Sequence, residues 1–174
     1  MKLFIKLKSW QLFLLFSVLL AWKINGFAIN AIVNYLGIAL VFAWICAIGI
    51  YGNKIINAQY FNRSNKLFIV FCKIFLIIFP IASFLDNVHL NPILNVIFII
   101  LNVMLAFPFF YILWYSGETA ATLVKGRYPK IEECLFYACI LIFYPIGVWI
   151  IQPKLNKLAF IISTGRTVPL KKQK

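Results

Sequence analysis

Residues 93–115 read ILNVIFIILNVMLAFPFFYILWY, without one charged side chain. Only hydrocarbon rewards such a run, because a helix needs roughly 20 apolar residues to cross a bilayer core of about 30 Å. Ala31 to Tyr51 is likewise uncharged, and both stretches read as spanning helices. The whole chain agrees with them: of 174 residues, 64% are hydrophobic and 12% charged, whereas globular usage is nearer half and a quarter. A soluble domain could bury that composition only by hiding almost every face of every helix. The sequence therefore predicts an all-α fold, a polytopic transmembrane helical bundle that makes one integral membrane domain of residues 1–174.

Outward from these two runs, residues 67–85 are long enough to span, with Lys73 inside and Pro80 near the far end, and membrane helices tolerate both. Residues 9–24 form a shorter first segment. Trp10 to Trp22 covers about 20 Å at 1.5 Å per residue, and Ser9, Lys23 and Ile24 complete the crossing. Lys2, Lys6 and Lys8 precede it as in a signal peptide, yet Gly26 and Ala28 fall late and Lys23 interrupts the approach, so an uncleaved helix is the simpler reading. Residues 134–151 are the last apolar run, interrupted by Pro145 and Gly147. The expectation is thus four to five membrane segments, at 9–24, 31–51, 67–85, 93–115 and 134–151, followed by a basic tail at 152–174. In that tail Leu155, Leu158, Ala159 and Ile162 recur at helical spacing beside Lys154 and Lys157, the pattern of an amphipathic interfacial segment.

Charge sets the orientation. Lys2, Lys6 and Lys8 at the N-terminus and Lys54, Arg63 and Lys66 in the second connection are unopposed by acids, while the link from Asp86 to Pro92 has no Lys or Arg. The positive-inside rule then places the N-terminus in the cytoplasm. Gly117 to Glu133 reads as a polar cytoplasmic connection, helical to about Val124 and turning at Gly126 ahead of Tyr128 and Pro129. The C-terminal cations conflict with a fifth crossing. Two arrangements stay open for residues 134–151: a kinked full span, or a segment that breaks around Tyr144 to Gly147 and returns. The net charge of +13 is scattered over juxtamembrane positions, which suits an anionic lipid leaflet, worth about 1 kcal/mol per cation near it. It lacks the concentrated basic face of a nucleic-acid binder.

The polar residues inside the spans are the candidate positions. Lys73 either snorkels toward the headgroups or pairs inside the membrane, where Glu118 is the most reachable acid. Asn34, Asn95 and Asn102 lie within spans; Asn95 and Asn102 share a helical face that should meet protein, and Asn34 and Asn95 could bond across their helices. Ala39, Ala43 and Ala47 form a small-residue stripe for close helix packing. A single His and four scattered Cys fit no metal site, so no metal and no cofactor is expected. Four acidic residues and one His also fall short of the clustered groups an intramembrane hydrolase or transferase requires, so no enzymatic activity is expected.

Phe143 to Lys157, with its Pro-Ile-Gly-x-Trp-x-Ile-Gln-Pro-x-x-Asn pattern, resembles the closing motif of a group of small uncharacterised bacterial membrane proteins, and Lys6 to Phe13 is similar to their opening. The resemblance implies a bacterial, Gram-negative inner-membrane protein and carries no activity. It singles out the block from Pro145 to Asn156 as a kink or docking surface. The reading is a non-enzymatic membrane protein acting through helix–helix contacts, as accessory subunit, assembly factor or immunity-type protein, with a protein partner in the membrane or as a homo-oligomer. The alternative is a small transporter or channel with a polar path near Lys73 and Asn102.

Overall fold

A computed structural model describes residues 7–21, 27–59, 64–86 and 92–163. These residues fold into six helices, α1 (Ser9–Ala21), α2 (Phe27–Gln59), α3 (Lys66–Asp86), α4 (Pro92–Lys125), α5 (Ile131–Ile142) and α6 (Tyr144–Ser163). No strand occurs among the described residues. Two stretches, Leu36–Asn57 in α2 and Asn95–Lys125 in α4, are long and apolar enough to cross a membrane. Helices α5 and α6 supply a third only if the bent pair counts as one span, with a bend of 112° between them. The chain is thus an all-helical membrane protein with two to three such helices. The link at residues 87–91, which holds His89, and the tail beyond Ser163 lie outside the described residues.

The centre of the fold is the C-terminal half of α4, around which α2, α3 and α5 pack. From Tyr115 to Leu123 every residue is buried, and small side chains make that possible. A Cβ on Gly117 would lie 2.8 Å from the Ala138 backbone nitrogen and 2.9 Å from the Cys134 carbonyl oxygen, so α4 and α5 approach backbone to backbone, as membrane helices do over small residues. Gly52 of α2 instead receives the side chains of Thr119 and Leu123 of α4. On the third side, the Phe68 ring of α3 stacks on Tyr115 at 4.3 Å. Further along, Phe75 stacks on Phe42 at 4.0 Å.

Gly117 to Leu123 is thus fully enclosed by its neighbouring helices. Its composition is polar, but its hydroxyls are bonded within the bundle. Helix α4 itself continues to Lys125 and turns at Gly126, whose φ of 69° favours glycine. The Gly126 N–H donates to the Thr122 carbonyl at 2.8 Å, closing the helix. Past the turn, the Glu133 carboxylate accepts from the Lys130 N–H at 3.0 Å and from Arg127 at 2.6 Å, with Lys125 at 3.5 Å. One acid therefore ties the end of α4 to the start of α5.

The last apolar run is divided between two helices. The helix breaks at Phe143, whose carbonyl takes the N–H groups of Ile146 (2.9 Å) and Gly147 (3.0 Å). Pro145 follows in the first turn of α6, where a missing N–H is harmless. Helix α6 then runs through Gln152 and Pro153 without ending. One helix therefore joins the end of the apolar run to the start of the tail.

Candidate functional site

Two ends of the chain meet around one buried side chain. Trp44 lies in the middle of α2 and is 1% exposed, unlike Trp10, Trp114 and Trp149, which are all exposed at the surface as belt tryptophans are. A buried indole N–H needs an acceptor. It donates to the Gln152 Oε1 of α6 at 3.0 Å. The Gln152 amide nitrogen in turn donates to the Leu7 carbonyl at 3.1 Å and to Asn156 Oδ1 at 3.0 Å. Asn156 Nδ2 also donates to the Leu7 carbonyl, at 3.1 Å. That carbonyl precedes α1, whose start is closed by the Lys8 N–H donating to Gln11 at 2.8 Å.

The result is a latch between the N-terminal helix, the second helix and the C-terminal helix. An aromatic collar encloses it: Phe16 meets the Tyr144 ring edge-on at 5.7 Å and the Trp44 ring at 6.3 Å, and Phe13 lies 6.0 Å from Trp149. Gly147 completes the close fit, since a Cβ there would lie 2.7 Å from the Ile140 carbonyl oxygen and 3.3 Å from the indole. Every member is a neutral amide, indole or carbonyl, so the latch can hold helices together but has no group that transfers a proton near neutral pH.

The positions singled out in the sequence are not brought together. Lys73 is exposed on the outer side of α3, whose inward positions are Phe68, Cys72 and Phe75, and it forms no ion pair with Glu118, which is buried in the α4 core. Asn95 and Asn102 are exposed on α4, and the Asn102 amide donates to its own helix at Phe98 O, 2.9 Å away. Within the chain α4 turns this face outward, because the small residues that draw neighbouring helices lie further along. Of the alanine stripe, Ala47 is buried and Ala39 and Ala43 are partly exposed. Gly147 belongs to the latch; the side chains of Asn34 and Pro145 lie outside the described residues. The Pro145 to Asn156 block, expected as a kink or docking surface, contains the latch residue Gln152 and docks on the chain's own N-terminus.

Two further features were not legible. Ser116 donates to the Ile45 carbonyl at 3.0 Å, pinning α4 to α2, and nothing in its sequence neighbourhood marks that serine. Gln152 could have been suspected, being an amide inside an apolar run, but its partner Trp44 stands over a hundred positions away, |i−j| = 108. A shallow cleft at the start of α5 is lined by Lys125, Glu132, Glu133, Phe136 and Tyr137; two others are apolar. One, lined by Phe107, Tyr111, Trp114, Leu135 and Cys139 among others, opens between α4 and α5 with a volume of about 460 Å³. Among the described residues no three His, Cys, Asp or Glu side chains gather as a metal site would require. No family model, curated protein or solved structure matches the chain.

Proposed function

We propose that this chain is a non-enzymatic membrane protein of a bacterial inner membrane that acts through helix–helix contacts, as an accessory subunit, assembly factor or immunity-type protein. In this reading the chain crosses the membrane four to five times with its N-terminus in the cytoplasm, and its basic segments rest on an anionic leaflet.

One observation carries the reading. Two fully buried polar side chains join helices: Gln152 accepts from the Trp44 indole and donates to the Leu7 carbonyl, and Ser116 donates to the Ile45 carbonyl. A transport path would need polar groups converging on a passage. Instead Lys73 and Asn102 lie on the outside of separate helices, and the cleft between α4 and α5 is lined by apolar and aromatic residues. The outer face of α4 meanwhile offers a broad apolar surface to other helices.

The test is a mild-detergent pull-down from native membranes through a C-terminal tag, paired with a flux assay on Lys73→Met and Asn102→Leu. The expected result is a stoichiometric membrane partner or a self-assembly that survives Lys73→Met. A solute flux that both substitutions abolish at unchanged folded amount would replace this reading with transport.

A further inference from the structure

The outer face of α4 carries a seam that its own chain leaves open. Asn95, Ile99, Asn102 and Ala106 alternate at steps of four and three, the spacing of the a and d positions that bring two helices together along a shared line. All four are exposed, with Val103 at 68% and Phe110 at 66% flanking them. The side opposite the seam is just as exposed, with Ile100 at 52% and Met104 at 66%, yet only the seam holds amides. Lipid satisfies isoleucine and methionine but leaves an amide short of partners, and the Asn102 nitrogen reaches only its own Phe98 carbonyl.

We infer that this seam is the contact surface for a second copy of the same chain, joined α4 to α4 about a two-fold axis along the membrane normal. This rests on the helix-contact reading above and names its partner. Copies inserted in one membrane share an orientation, so such a pair is parallel and sets each residue against itself. That demands self-complementary groups. An amide both donates and accepts, so Asn102 meets Asn102 and Asn95 meets Asn95 with hydrogen bonds formed, and Ala106 lets the backbones approach between them. A seam of lysines or glutamates would repel its own image; this one matches it.

Disulfide cross-linking in native membranes tests the inference, with Cys139→Ser removing the exposed native thiol and the other native cysteines retained. Asn95→Cys, Ile99→Cys, Asn102→Cys or Ala106→Cys, introduced singly and oxidised with copper phenanthroline, should each give a product of twice the chain mass. Ile100→Cys, Met104→Cys and Phe107→Cys, equally exposed but out of phase, should not. In the Ala106→Cys background, Asn95→Leu with Asn102→Leu should lower the cross-linked fraction about tenfold while the monodisperse yield in detergent stays unchanged. Equal cross-linking on both faces, or none on either, overturns the inference. A product joined to a different polypeptide also overturns it and leaves the helix-contact reading standing.

Discussion

The two halves of α4 are one continuous helix in opposite surroundings. From Asn95 to Met104 its side chains are large and apolar, and nearly all are exposed. From Tyr115 to Leu123 they are mostly small or polar, and all are buried. In a water-soluble protein the assignment would be the reverse. The difference shows what holds this fold together. With lipid outside, burying Ile or Val gains little, so the interior is selected for close backbone approach and for hydrogen bonds between helices. The same distinction separates α2 from α4 as a whole: 56% of the most apolar window of Leu36–Asn57 is buried, against 22% for Asn95–Lys125. Helix α2 is a core element and α4 is half core, half rim.

The sharpest way to break that comparison is to put bulk on each half. Gly117→Leu inserts a side chain where backbone atoms of α5 already lie at 2.8 and 2.9 Å, so the helices must part; overpacking of this kind costs about 3 kcal/mol or more. The expected outcome is loss of monodisperse protein after mild heating in detergent. Phe107→Leu on the outer half, 68% exposed, should leave the same melting curve within about 0.5 kcal/mol. Equal damage at both sites would mean that the outer half is as packed as the inner.

The latch comes next in size. Gln152→Leu strips the Trp44 N–H of its acceptor and leaves Asn156 alone on the Leu7 carbonyl, a loss of about 1 to 3 kcal/mol for buried groups without partners. Combined with Trp44→Phe in a double-mutant cycle, the coupling should be about 0.6 to 1.7 kcal/mol, the range of hydrogen bonds between membrane helices. A coupling of zero would show that the two side chains stabilise the fold independently.

How much of this was legible follows the same physics. The uncharged runs at 31–51 and 93–115 mark the two helices long enough to span, because chain hydropathy reports directly on the solvent. Glycine and proline marked the turn at Gly126 and the break near Pro145, both local backbone constraints. The polar positions were legible as chemistry but not as geometry. Asn95 and Asn102 share a face in any helix, yet which way that face points depends on where the small residues draw neighbours, here Gly117 and Gly52 against α5 and α4. The latch was beyond reach for a related reason: Leu7 takes part through its backbone carbonyl, which every residue possesses. Trp44 stood out only as a tryptophan away from the expected belt.

The finest test lies within the buried half, on two hydroxyls a turn apart. Ser116 donates across to the Ile45 carbonyl of α2 at 3.0 Å, whereas Thr119 donates back to Tyr115 of its own helix at 2.7 Å. Both groups are fully buried, so burial alone predicts the same effect from removing either. Their partners predict otherwise. Ser116→Ala deletes a bond between helices and should cost about 0.6 kcal/mol, the average for such bonds in a membrane bundle. Thr119→Val replaces the hydroxyl with a methyl of similar size and frees a carbonyl that keeps its helical N–H, and hydroxyls bonded back to their own helix contribute little or slightly destabilise it. Thermal unfolding in one detergent should therefore rank Ser116→Ala below Thr119→Val, with the latter within a few tenths of a kcal/mol of the parent. The reverse order would mean that filling space around Gly52, where the Thr119 methyl packs, outweighs hydrogen bonding in this core.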